Sequence, residues 1–109
     1  MQLENKVAVV TGAGSGIGRA IARSFAGEGA AVVVDYAGHP EPARDAVEEI
    51  EKAGGRAVAV RADVTDPEDV RTLIQSSVQE FGRLDILVNN AGIEYKMPFL
   101  QTPLEVWER

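Results

Sequence analysis

Four strand-length apolar runs, separated by amphipathic stretches of helical length, leave this 109-residue chain little choice of fold. The runs fall at residues 6–11 ("KVAVVT"), 30–35 ("AAVVVD"), 56–60 and 84–89 ("LDILVN"). They are rich in β-branched residues and scarcely alternate, as expected of strands buried on both faces. Between the first two, residues 17–28 place Ile17, Ile21, Ser24 and Phe25 on one helical face, with Arg19 and Arg23 elsewhere; Gly27 and Gly29 end the segment. Residues 40–53 repeat the pattern, Ala43, Ala46, Val47 and Ile50 inward against Arg44, Glu48, Glu49, Glu51 and Lys52 outward. A third helix opens at Asp66 as cap with Pro67 next and Glu68 and Asp69 in the first turn. It continues through Leu73, Ile74, Ser77, Val78 and Phe81 to Gly82. Crossovers of this length cannot be hairpins and require parallel strands joined right-handedly. The expectation is an α/β fold with a doubly wound parallel sheet, in one domain.

The first strand runs into "TGAGSGIG", residues 11–18, which then opens the first helix. In that position Gly12 turns the chain off the strand, Gly16 lets backbone approach a pyrophosphate, and Gly18 lets helix and sheet pack closely. The exposed N–H groups and positive helix end attract phosphate. The spacing is Gly-x-x-x-Gly-x-Gly rather than Gly-x-Gly-x-x-Gly, and no Lys-Ser or Lys-Thr follows as a Walker loop needs. Glycines alone also suit a purely structural turn, so the loop by itself leaves both readings open.

Composition narrows the partners. A net charge of −6 opposes a general nucleic-acid or anionic-membrane surface. The lack of cysteine excludes disulfides and thiolate metal sites and fits a reducing, cytoplasmic setting. The apolar runs are too short to span a bilayer, and no signal peptide is recognisable. No metal-ligand set stands out.

Taken together, Thr11-Gly12-x-x-x-Gly16-x-Gly18, Asp63-Val64 and Asn89-Asn90-Ala91-Gly92 resemble the short-chain dehydrogenase/reductase family, each motif closing an expected strand. "VVVDY" and "NNAGIE" look most similar to its glucose 1-dehydrogenase and 3-oxoacyl reductase-like members. The resemblance implies a Rossmann-like sheet of order 3-2-1-4 and an NAD or NADP cofactor. It also implies a full-length parent, a homo-oligomer, that oxidises an alcohol or sugar or reduces a carbonyl by hydride transfer. Residue by residue, Gly12, Gly14, Ser15, Gly16, Ile17 and Gly18 would bind the pyrophosphate and adenine ribose. Asp63 would accept from the adenine amino group and Val64 flank the ring. Asn90, Ala91 and Gly92 would line the nicotinamide-side ribose, while Asn89 locks the central strands. Asp63 as a local cap and Asn89 and Asn90 as turn-forming amides remain the plainer alternatives.

The choice of dinucleotide turns on the tip of the second strand, where a carboxylate binds the ribose 2′-hydroxyl and repels a 2′-phosphate. Asp35 offers that carboxylate, although the family's acidic position falls on Tyr36, one residue later and on the opposite side of the strand. Ala37 and Ser15 lack the basic character that accompanies 2′-phosphate binding, and His39 is the one nearby alternative. The expectation leans to NAD, with NADP open.

Catalysis in the family uses Tyr-x-x-x-Lys, a Ser and an Asn, the ammonium bringing the Tyr hydroxyl towards working pH. Tyr36 and Tyr95 are the only tyrosines, and neither has Lys four residues on. No catalytic residue is therefore assigned. The closing "FLQTPLEVWER" is expected to open a fourth helix, with Thr102 as cap, Pro103 next and Glu105 reaching back. Residues 1–109 then read as a partial dinucleotide-binding domain stopping at that helix, with "LDILVN" an exposed apolar edge inviting self-association. The alternative is a stand-alone dinucleotide-binding or sensing module without catalysis.

Overall fold

The computed structural model describes residues 2–14 and 16–90 and, as backbone, residues 106–108. Strands β1 (Val7–Val10), β2 (Ala31–Tyr36), β3 (Arg56–Arg61) and β4 (Ile86–Val88) alternate with helices α1 (Gly16–Gly27), α2 (Glu41–Lys52) and α3 (Pro67–Phe81). These four strands lie in the order β3-β2-β1-β4 and run parallel to one another. This is the order and class expected from the sequence. After β3 the chain returns to the far side of β1, so the gap between β1 and β4 is a topological switch point, where open α/β sheets bind ligands.

The two faces of the sheet are covered unequally. Ala8, Val10, Val32 and Val34 pack under α1 and α2 against Ala22, Ala43, Ala46 and Ile50, whose small side chains bring the helices close. On the other face, among the described residues, Val9, Val33 and Ala62 pack with Leu73 of α3, and Phe81, Leu84 and Leu87 lie at the margin. Glu49 of α2 accepts from Arg19 Nε at 3.0 Å and Arg23 Nη1 at 2.8 Å, tying α1 to α2. α3 begins as its sequence dictates, the Asp66 side chain accepting from Glu68 N–H at 2.9 Å, and it ends on Gly82 at φ 84°.

Three expectations need correction. The inward stripe of α1 is Gly18, Ile21, Ala22 and Phe25; Ser24 is exposed and Ile17 stands 68% exposed at the helix start. Ile74 and Val78 of α3 are likewise exposed, at 36% and 45%, because the stripe narrows onto Leu73 and Ser77. Residues 106–108 of the expected fourth helix instead form β5 (Val106–Glu108), antiparallel to β4, while Thr102, Pro103 and Glu105 lie outside the described residues. An open strand edge supplies a full row of backbone donors and acceptors, and Val and Trp favour strand; a helix this short gains little without a docked face. The "LDILVN" edge is thus covered, and Ile86 and Val88 are buried at 4% and 1%.

At the opposite end of the strands from the glycine loop, Asp85 fastens β1 to β4. Its Oδ2 accepts from Val7 N–H at 2.8 Å and its Oδ1 from Arg83 Nη2 at 2.6 Å. Burial alone would raise this carboxyl, but the Arg83 and Val7 hydrogen bonds and the Arg83 and Lys6 charges outweigh it and hold it below its ordinary value. Asp85→Ala is expected to lower stability by about 1–3 kcal/mol by stranding the buried Val7 N–H, while the exposed Arg83 guanidinium is left to water. A carboxyl lowered in the folded state contributes fully above its unfolded value near pH 4 and loses that contribution as pH falls through the folded one. Urea denaturation from about pH 7 down to about pH 3 should therefore show the wild type approaching the variant only in acid.

Candidate functional site

The glycine loop takes its shape from the backbone. Gly12 and Gly16 sit at φ 61° and 62°, where an L side chain is strained, and α1 starts immediately beyond. Among the described residues a Cβ on Gly16 would meet nothing within 4 Å, so this glycine faces open space. Gly18 is the opposite case: a Cβ there would collide with Gly12 O and lie 2.7 Å from Asn90 Nδ2. No acidic residue occupies the first turn of α1, so its positive end is uncompensated.

Thr11 couples this loop to the end of β4. Its backbone N–H donates to Val88 O at 3.0 Å. Its hydroxyl accepts from Asn90 N–H at 2.7 Å and donates towards Asn89 Oδ1 at 3.1 Å, with Val88 O at 3.4 Å. Asn89 is therefore engaged as a lock, as expected, and Asn90 is held against Gly18. A second tie runs sideways, Ala13 N–H to Asp35 O at 3.3 Å, setting the loop over the end of β2.

The sequence expectations meet this geometry unevenly. Gly12, Gly18 and Asn90 come together at the switch point, Gly16 faces open space, Gly14 lies against Pro42 and Ala43 at the start of α2, and Ile17 is exposed at the start of α1. Ser15, Ala91 and Gly92 lie outside the described residues. Asp63 is exposed at the end of β3, its Oδ1 accepting from Thr65 Oγ1 at 2.7 Å and Thr65 N–H at 2.9 Å. The Thr65 hydroxyl and then its amide hold the carboxyl below its ordinary value. It is thus a local turn former and also an ionised acceptor, with Oδ2 left to an outside donor such as an amino group. Val64 is half-buried beside it.

Asp35 departs from its assigned role. Tyr36 leans into the α1–α2 side of the sheet, and strand alternation sends Asp35 the other way, 3% exposed. A carboxylate sealed there cannot present itself to a ribose hydroxyl. Among the described residues its Oδ1 has no hydrogen-bond partner. Burial raises the carboxyl from 3.8 to about 7, the Gly12 and Ala62 backbone amides offset part of the rise, and Asp63 and Asp69 add to it. The sequence signalled the alternation but not which residue faced inward.

These residues fit a dinucleotide: a helix end free of acids, a glycine open to solvent where phosphate would lie, and an acceptor at the third strand. Among the described residues no group of His, Cys, Asp or Glu is arranged to hold a metal, and no helix is long and apolar enough to cross a membrane.

Comparison with known proteins agrees. The family model for short chain dehydrogenases matches residues 6–109. An uncharacterized oxidoreductase of Methylorubrum extorquens is 56% identical over 92 residues, which is 84% of this chain and 37% of that protein. A hydroxynaphthalene reductase-like protein of Metarhizium majus is 48% identical, over 98% of this chain and 40% of its own length. A short chain dehydrogenase of Burkholderia cenocepacia, solved in complex with NADP, superposes with a TM-score of 0.82 at 46% identity, covering 87% of this chain and 39% of that one. The chain thus spans about two fifths of the relatives it matches.

Proposed function

The chain belongs to the short-chain dehydrogenase/reductase family, and from that premise we propose that it forms the NAD(P)-binding part of an oxidoreductase. The observation that carries this is the glycine loop opening an acid-free helix end and bridged by Thr11 to Asn90 at the switch point. In that setting the Gly16 region and the start of α1 bind the pyrophosphate, Asp63 receives the adenine amino group, and Asn90 borders the nicotinamide-side ribose. Thr11 keeps the two halves of the crevice in register. The nicotinamide, when bound, is the group that gives or takes hydride. The parent reaction is oxidation of an alcohol or sugar, or reduction of a carbonyl, in the cytoplasm.

Either dinucleotide is compatible with the crevice. Ala37, Gly38 and His39, exposed after β2, bring no fixed cation to a 2′-phosphate, which favours NAD. Calorimetric titration of the purified chain with NAD and NADP is expected to show saturable binding of at least one; none of either overturns the reading. Sedimentation of the same sample tests self-association, which exposed Ile74 and Val78 favour. A monomer at all concentrations removes that part.

A further inference from the structure

The turn between β3 and α3 is held by α3 itself. Where the chain leaves β3, the Ala62 N–H donates to Tyr36 O at 2.9 Å. The Asp63 N–H then donates to Oδ2 of Asp69 at 2.9 Å, and the Asp66 N–H returns to Asp63 O at 2.9 Å. Oδ1 of Asp63 takes the amide and hydroxyl of Thr65. Asp63 is thus gripped at its N–H, its carbonyl and one carboxyl oxygen. Asp69, the third residue of α3, is half-buried, whereas its neighbour Glu68 is exposed and pairs with Arg71 at 3.4 Å. Leu73, one turn further along, packs in the buried cluster with Val9, Val33 and Ala62. Residues four apart share a helix face, so the packing that seats Leu73 on the sheet also seats Asp69 beside Asp63. An acid in the first turn has a plainer use in offsetting the positive helix end, but the Asp66 cap and Glu68 already bring carboxylates there.

We propose that Asp69 is a positioning residue for the adenine end of the cofactor: its Oδ2 fixes the backbone of Asp63, and with it the direction in which the Asp63 carboxylate is offered. The inference rests on the cofactor reading above, in which Asp63 receives the adenine amino group. Asp69 needs only an acceptor oxygen for this task, not a charge. Asp69→Asn therefore keeps the function and Asp69→Ala loses it, whereas a role on the helix dipole fails equally in both. The loss is one of selectivity between bases. Hypoxanthine carries a carbonyl oxygen in place of the adenine amino group and cannot donate to a carboxylate, so a displaced Asp63 gives up discrimination between the two.

The test titrates wild type, Asp69→Asn and Asp69→Ala by calorimetry with NAD and NADP and with the hypoxanthine analogue of each. The wild type and the asparagine variant are expected to prefer adenine about tenfold, and the alanine variant no more than about threefold. Equal weakening of adenine and hypoxanthine forms in the alanine variant, with the ratio intact, overturns the proposal and leaves the cofactor reading standing. So does an asparagine variant that behaves like the alanine one. No adenine preference in the wild type removes the Asp63 contact and this inference with it; no binding of any dinucleotide overturns the cofactor reading as well. Hydrogen exchange of the Asp63 amide in the ligand-free chain is the second measurement. Exchange about tenfold faster in the alanine variant than in the other two proteins supports the grip, and one rate in all three ends it.

Discussion

Replacing Gly18 by alanine is expected to damage fold and cofactor site together. The new methyl group meets Gly12 O and Asn90 Nδ2 and comes within 2.9 Å of Gly12 C, and the carbonyl belongs to backbone with nowhere to retreat. Overpacking of this kind costs about 1–3 kcal/mol, here at the point where the loop, α1 and the end of β4 converge. On the proposed reading, dinucleotide affinity should fall at least about tenfold, since the amides assigned to phosphate move with Gly12. Gly16→Ala is the informative contrast. With open space around its Cβ but φ of 62°, it should lose about 1–2 kcal/mol through backbone strain, with no packing clash. Urea denaturation and calorimetry on both variants measure this; equal, negligible losses would mean Gly18 is not a contact point.

Asp35→Asn is expected to act in the opposite direction and to stabilise the chain. A carboxyl whose folded value exceeds its unfolded one binds extra protons in the native state, so stability declines as pH rises between the two. Here the interval runs from 3.8 to about 7, and at about 1.4 kcal/mol for each pH unit the wild type loses about 4 kcal/mol across it. The asparagine variant should match the wild type near pH 4 and exceed it by up to about 4 kcal/mol near pH 8. Thermal melts at both pH values check this, and parallel pH profiles for the two proteins would show that Asp35 is ionised in the fold from the start.

The backbone plan of this chain was written in the sequence because every level of it agreed. Apolar runs without alternation, caps at Asp66 and Gly82, and glycines after β1 all pointed to one parallel sheet, and its order followed from the family resemblance. What escaped was the facing of single residues. The run through Val34 to Asp35 is apolar on both sides of the strand, so nothing in it says which side the carboxylate takes. Ile17 looked like a core residue because helical periodicity counts it as one, whereas its place at the helix start leaves it exposed. β5 could not be read as a strand because "TPLEVW" carries helix-opening chemistry, and only the open edge of β4 makes pairing the better outcome. The turn at Gly12 and the close packing at Gly18, by contrast, were legible, since each excludes a side chain.

The bond between Thr11 and Asn90 joins residues 79 apart in the chain. Neighbouring pairs of β1 and β4, such as Ala8 with Ile86, are separated almost as widely. Closing so large a loop costs chain entropy before any contact repays it, whereas β1–β2 and β2–β3 close over much shorter spans. The crevice therefore belongs to the late part of folding: α1, α2 and the first three strands can assemble while its far wall is still absent. A refolding chain should gain most of its helical signal before it can hold a dinucleotide.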